Sequence, residues 1–309
     1  MKVIFSADDF GLTRAINAGI LEAYERGLLK SASLIVTGEA AEDAAAGAAA
    51  HPGLDIGLHV ALIEERPALP PAQIPSLVAQ GRFHQLRSVL LLRYMLGHWN
   101  VAEAEAEIAA QLDRCRGFGL EPSHLDGHQH LHLLPRLFPS VIALARRHGI
   151  RFVRTRLSDP LDGTGSSARK ISVLAINMLS KLDWSKIPGL AQVPMISFTT
   201  VGFLQAGGAL TASQLLSVLD HLRRDPAQST VEVMLHPGRR DAETERKYGH
   251  WRYQWERDLA LLLDPTLPGE LASRGIDVTS FRELYAVTDP ASPEHPLGLT
   301  APPESPCLP

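Results

Sequence analysis

Short apolar runs rich in β-branched residues recur along this chain, and most are followed by stretches whose apolar positions return every third or fourth residue. The runs Lys2–Ala7, Ala32–Thr37, Leu54–Val60, Pro122–Asp126, Arg151–Thr155, Pro194–Thr199, Val231–Leu235 and Asp277–Ser280 predict strands. Among the intervening segments, Arg14–Gly27 shows helical spacing and closes on a glycine, as a helix C-terminus commonly does. Val101–Phe118 and Leu137–His148 read the same way. Alternation of strand and helix implies parallel strands joined by crossover helices. About seven or eight such units favour a sheet closed on itself, so the expected fold is α/β: a single TIM-like (β/α) barrel, distorted in places, over residues 1–285.

Two insertions break the rhythm, one at 64–100 and one at 159–190. The first begins with a loop, 64–82, carrying prolines at 67, 70, 71 and 75. Long connections after barrel strands cover the C-terminal face, where active sites are built, so both insertions are expected there. Inside the first lies VLLLRYMLGHW, residues 89–99, too short to span a bilayer. It predicts a core or cap helix, with an exposed lipid-facing surface or a homodimer interface as alternatives. Residues 286–309 are Pro-rich and aperiodic and predict an extended or disordered tail.

Composition narrows the function classes. The 309 residues contain 30 Lys and Arg against 34 Asp and Glu, with 45% hydrophobic residues, and no basic block offers a track for nucleic acid. Two cysteines, Cys115 and Cys307, rule out a disulfide framework or a cysteine zinc site and point to a reducing, cytoplasmic setting. Asp8 and Asp9 interrupt the N-terminus where a signal peptide stays apolar, and no transmembrane segment is expected.

The chemistry gathers at the predicted strand ends. Asp8 and Asp9 close the first strand, where two adjacent carboxylates can divide labour, one binding a cation and the other taking a proton from water; a helix N-cap is the plainer reading. His59 ends the third strand after Gly57, which leaves room for the close approach of a ligand or neighbouring chain. SHLDGHQHLHLL, residues 123–134, packs four of the 13 histidines (His124, His128, His130, His132) beside Asp126. Imidazole suits transition metals, and a neighbouring carboxylate can fix the ring tautomer. A helix beginning at His128 would set His128 and His132 one turn apart, so not every histidine can reach one ion. His236 is pinned by Pro237 and Gly238, and Arg154 ends another strand, where it could orient a carboxylate, contact substrate or serve only in an ion pair. One carboxylate, two histidines, a spare carboxylate and a separate histidine are the parts of metal-assisted hydrolysis. The same triad composition occurs in non-haem iron oxygenases, the competing chemistry, although the βα alternation is foreign to their usual architecture. A catalytically silent sugar-binding barrel is the third reading.

In S-A-D-D-F-G at 6–11 with Asn17, G-L-H at 57–59, H-L-D-G-H-Q-H-L-H at 124–132 and H-P-G at 236–238, the chain resembles the YdjC/ChbG family of carbohydrate deacetylases, relatives of the NodB-type polysaccharide deacetylases. The resemblance implies a barrel of the glycoside hydrolase/deacetylase type and a divalent cation, magnesium first, with zinc or another transition metal as alternatives. It implies Asp9, His59 and His128 as metal ligands, Asp8 as general base and His236 as acid or transition-state stabiliser, and an N-acetylated amino sugar as substrate. Within the family, A-S-L at 32–34, the loop E-x-R-P-x-L-P-P at 64–71 and G-R-F at 81–83 are most similar to the hopanoid-associated HpnK type, which implies a lipid-linked sugar.

Overall fold

The computed structural model describes residues 1–157, 199–202, 210–225 and 228–288; the expected second insertion and the tail from 289 lie outside the described residues. The strands are β1 (Lys2–Phe10), β2 (Ser31–Leu34), β3 (Asp55–Val60), β4 (Val78–Ala79), β5 (Arg82–Phe83), β6 (His124–Gly127), β7 (Phe152–Val153), β8 (Arg156–Leu157), β9 (Thr199–Val201), β10 (Thr230–Leu235) and β11 (Asp277–Thr279). All but the β4–β5 hairpin join one parallel sheet in the order β7-β6-β3-β2-β1-β10-β9-β8, with β11 beside the first half of β1. Its two ends, β7 and β8, are separated in the chain only by Arg154 and Thr155, so the sheet curls round into the expected distorted barrel. Every expected strand has a counterpart, although Pro194–Thr199 overlaps the observed β9 only at Thr199, its other residues lying outside the described ones.

All of β1 except Lys2 is buried, as a strand covered on both faces must be. Val3, Phe5 and Ala7 belong to the main core with Ile16, Ile20 and Ala23 of helix α1 (Arg14–Arg26), whose N-terminus Thr13 caps. Ile4 faces the other way, into a small cluster with Phe152, Phe281 and Leu284. Odd positions therefore meet the helices and even positions the barrel interior.

A second helix, α2 (Ala41–Ala50), was not signalled by periodicity because seven of its ten residues are alanine. Helix α4 (Val101–Gly117) anchors the first insertion. Both Glu107 oxygens accept backbone N–H bonds, from Ala68 at 2.7 Å and Leu69 at 2.9 Å, and Glu103 accepts from Ser76. Between them lies α3 (Arg87–Met95), which meets the core-or-cap expectation on one face only, with Leu90 in the core and Leu91 and Tyr94 packed against it. Leu90 is its one buried residue, while Leu86, Val89, Leu92, Met95 and Leu96 are 40–80% exposed.

Candidate active site

Parallel register sets the site residues side by side. Ala7 pairs with Leu235, so Asp8 and His236 leave the sheet together; His59 pairs directly with Asp126, and Leu125 with Val153, which brings Arg154 into line. Asp9 should by alternation face the helices. Instead the β1–β2 register shifts between Ala7 and Phe10, and Asp9 takes a left-handed backbone with φ 68°. A bulge of this kind re-aims a side chain next to a site, and Asp tolerates the conformation better than most residues.

The result is a buried donor set. Asp9 Oδ1 lies 3.0 Å from His128 Nδ1 and 3.6 Å from His59 Nε2, and ligand atoms of the three residues fall within 4.8 Å of one another. Each imidazole is held from behind by a carboxylate. Asp126 Oδ1 is 2.7 Å from His59 Nδ1, with the Ser33 hydroxyl at 3.1 Å, which leaves Nε2 directed at Asp9. Glu64 Oε2 is 2.9 Å from His128 Nε2 and also accepts from Gln129, while its Oε1 accepts from Trp251 Nε1. Burial works against charge on His128, but Asp9 on one side and Glu64 on the other outweigh it, and its pKa is pushed up to about 10. Asp9 Oδ2, buried and without a hydrogen-bond partner among the described residues, is an orphaned anionic oxygen of the kind a metal ion would satisfy. The residues present fit a divalent cation with mixed oxygen and nitrogen ligands.

A second group, Asp8, His59 and Asp126, is as close-set but electrostatically different. Arg154 donates to both oxygens of Asp8, at 2.7 and 2.8 Å, and to Glu232, and stands 2.8 Å from Asp126 Oδ2. Thr200 completes the shell by donating to Glu232 at 2.6 Å. Burial opposes ionisation of Asp8, yet the guanidinium outweighs it and holds the carboxyl well below the usual carboxylate range. A cation is therefore already present there, and Arg154, buried among carboxylates, orients Asp8 rather than reaching outward.

The cluster histidines diverge. His128–Leu133 is a 3₁₀ segment interrupted by left-handed Gln129 and His130, not the expected α-helix, so His128 and His132 do not share a face. His132 Nε2 instead donates to the Arg154 carbonyl at 2.8 Å, and burial lowers its pKa to about 4. His124 stacks on Phe281 at 3.8 Å, and it is this ring that Gly57 admits: a Cβ there would lie 2.4 Å from His124 Nε2. His236 reaches the site with Nε2 3.9 Å from Asp9 Oδ2, its backbone N–H donating to buried Asp258. Burial lowers the His236 pKa, against the pull of Asp9 and Asp8.

Glu64, Glu232, Asp258 and the aromatic run Tyr248, Trp251, Tyr253 were not singled out from sequence. Trp251 packs 5.2 Å from His128 and Tyr253 4.7 Å from His236, a wall between the two histidines. Tyr248 donates to Glu65 at 2.8 Å. Only Glu64 carried a hint, as the first residue of the proline-rich loop.

With this geometry in place, the likeness to known proteins is consistent along the chain. A carbohydrate deacetylase of Geobacillus stearothermophilus is 32% identical over 282 residues, covering 91% of this chain and 97% of the relative. A chitooligosaccharide deacetylase of Serratia marcescens is 31% identical, covering 91% and 98%. In fold, the chain is similar to a putative cellobiose-phosphate cleavage protein of Enterococcus faecalis V583, with a TM-score of 0.69 at 24% identity over 92% of this chain and 98% of that one. The family model for YdjC-like proteins matches residues 2–273, nearly all of the described barrel, and the chain belongs to the YdjC-like protein family.

Proposed function

We propose that this protein is a metal-dependent carbohydrate N-deacetylase that hydrolyses the acetamide of an N-acetylated amino sugar. The observation that carries the reading is the pairing of an orphaned anionic donor set, Asp9, His59 and His128, with an ionised Asp8 and a separate His236 at neighbouring strand ends. Relatives named as carbohydrate and chitooligosaccharide deacetylases support it. The parallel barrel speaks against the iron oxygenase reading, and the full complement of ionisable groups against a silent sugar-binding barrel.

Asp9, His59 and His128 would hold the cation, magnesium first, with zinc or another transition metal as alternatives. When bound, it supplies Lewis-acid polarisation of the acetamide carbonyl and charge stabilisation as that oxygen becomes anionic. Asp8, kept ionised and aimed by Arg154, accepts the proton of the attacking water. The C–N bond then breaks as His236 Nε2 gives a proton to the departing nitrogen, which cannot leave as an amide anion at neutral pH. The proton that His236 gives is replaced by the one Asp8 took from the water, so the hydrolysis draws no net proton from either residue. Acetate and a free amine result. Trp251 and Tyr253 would pack against the sugar ring between the two histidines, with the acetamide over Asp9.

The substrate is an oligosaccharide or a glycolipid such as an N-acetylglucosaminyl hopanoid, the resemblance of the 64–71 loop to the HpnK type supporting the glycolipid and relatives named chitooligosaccharide deacetylases the oligosaccharide. Acetate release is measured from N,N′-diacetylchitobiose and from a lipid-linked N-acetylglucosamine, before and after chelation and with metal restored. Release that chelator abolishes and metal restores is expected; release indifferent to chelator, or none from either acceptor under any metal, would sink the proposal.

A further inference from the structure

We infer that α3 is an interfacial anchor for a bilayer carrying anionic headgroups. Leu86, Val89, Leu92, Met95 and Leu96 are the exposed large hydrophobic residues of the described chain, and all lie within one short segment. Val89, Leu92 and Leu96 recur at helical spacing, with Met95 adjoining, so they form one apolar face with Leu90 turned inward. Exposed apolar residues scattered singly need no explanation, but this concentration does.

Charge identifies the occupant. Between Glu65 and Glu103 the chain has no Asp or Glu, yet it contains Arg66, Arg82, Arg87 and Arg93 together with His84 and His98, in a protein whose formal net charge is −4. An apolar helical face carried by a stretch of chain that is basic and without acids is the pattern that combines shallow insertion with attraction to anionic lipid. A second copy fits less well, because symmetric pairing would set this arginine-bearing stretch against itself. Five side chains also fall short of the roughly 20–30 residues a side of a standard interface. Nor is a spanning segment available: no described helix is long and apolar enough to cross a membrane.

The helix stands at the rim of the site. Tyr94 Oη accepts from Arg136 N at 2.9 Å, three residues beyond the His128–Leu133 segment, and the Arg136 guanidinium lies over the Tyr94 ring. The His84 carbonyl accepts from the backbone N–H of Glu64, whose side chain holds His128. A bilayer under α3 would therefore lie beside the catalytic mouth, where a sugar attached to a membrane lipid is presented.

The full-length protein is sedimented with phosphatidylcholine vesicles, with and without phosphatidylglycerol, beside the double variant Leu92→Glu, Met95→Glu. Both positions are exposed and outside the site, so the variant's melting temperature and its acetate release from soluble diacetylchitobiose should match the parent's. The parent is expected to partition onto phosphatidylglycerol vesicles, less so as salt rises, and the variant to bind at least about tenfold more weakly. Failure of the parent to bind those vesicles, or equal binding by the variant, overturns the inference. So does a parent dimer that the variant dissolves without any vesicle binding, which assigns α3 to a second copy. Because partitioning is read without substrate, it stands or falls separately from the deacetylase reading.

Discussion

Two buried carboxylate clusters lie within one barrel mouth, and they are neutralised in opposite ways. Around Asp8, Asp126 and Glu232 the counter-charge is built in, a guanidinium that faces all three. Around Asp9 no arginine or lysine approaches among the described residues; His59 and His128 face it, each backed by a carboxylate, and Oδ2 accepts no hydrogen bond, with His236 Nε2 3.9 Å away. A covalently attached cation gives permanence and leaves Asp8 ionised and fixed. Under the proposed function the Asp9 group borrows its cation, and a borrowed cation can exchange ligands as the reaction proceeds, which suits a centre that must take up substrate.

The comparison breaks most completely at Arg154. Arg154→Met removes the one cation shared by three buried carboxylates, and uncompensated buried charge of this kind costs about 3–5 kcal/mol or more. Thermal melting should show a loss of many degrees, or the variant should fail to accumulate folded. A variant melting near the parent would mean the carboxylates find another partner, and the division between built-in and borrowed cation would fall.

Next come the paired aspartates. Asp9→Asn is expected to weaken metal binding, measured by titration, because it removes the only anionic ligand of the set. Asp8→Asn should leave metal affinity within about tenfold while lowering turnover by about 10²-fold or more, the usual scale for losing a general base. The opposite pattern, with Asp8→Asn stripping the metal, would exchange the roles of the two clusters.

Glu64 sharpens the same contrast at smaller scale. If its carboxylate fixes His128 as a ligand, Glu64→Gln should reduce metal affinity about tenfold, within the usual range for outer partners of metal ligands. The amide can still meet His128 but carries no charge. Unchanged affinity would reduce Glu64 to a loop anchor.

What could be read from sequence follows the physics of each element. β1, β3 and β10 declared themselves because strands buried on both faces are mainly apolar and β-branched, and the polar residues at their C-terminal ends stood out, whereas Glu232 inside β10 did not. The helix α2 did not, since an alanine segment buries small side chains without an amphipathic stripe. The Asp9 bulge is a register event between neighbouring strands, invisible in either strand alone. Likewise the partnership of Glu64 with His128 spans 64 residues and depends on a loop path that α4 fixes through Glu107. α3 misled in the other direction on one face: its composition reads as core, and only its placement shows that face exposed.

The smallest effect tests the floor beneath His236. Burial pushes the Asp258 carboxyl up to about 7, from an ordinary value of 3.8, despite the hydrogen bond it accepts from the His236 backbone N–H. A raised carboxylate pKa means that the folded chain binds this proton more tightly than the unfolded chain. The contribution to stability is thus full below about pH 4, declines as pH rises through the interval up to about 7, and stays lost above it. Asp258→Asn keeps an oxygen for the His236 N–H and removes the charge. Its melting temperature should match the parent's near pH 3.5, where Asp258 is protonated in the folded and unfolded chains alike, and exceed it by a few degrees near pH 8.5. The readout is the difference between the two melting curves across pH, so a constant penalty from placing the amide cancels. A difference that does not change with pH would show that Asp258 is hydrated in solution and that His236 rests on a wetter floor than its burial indicates.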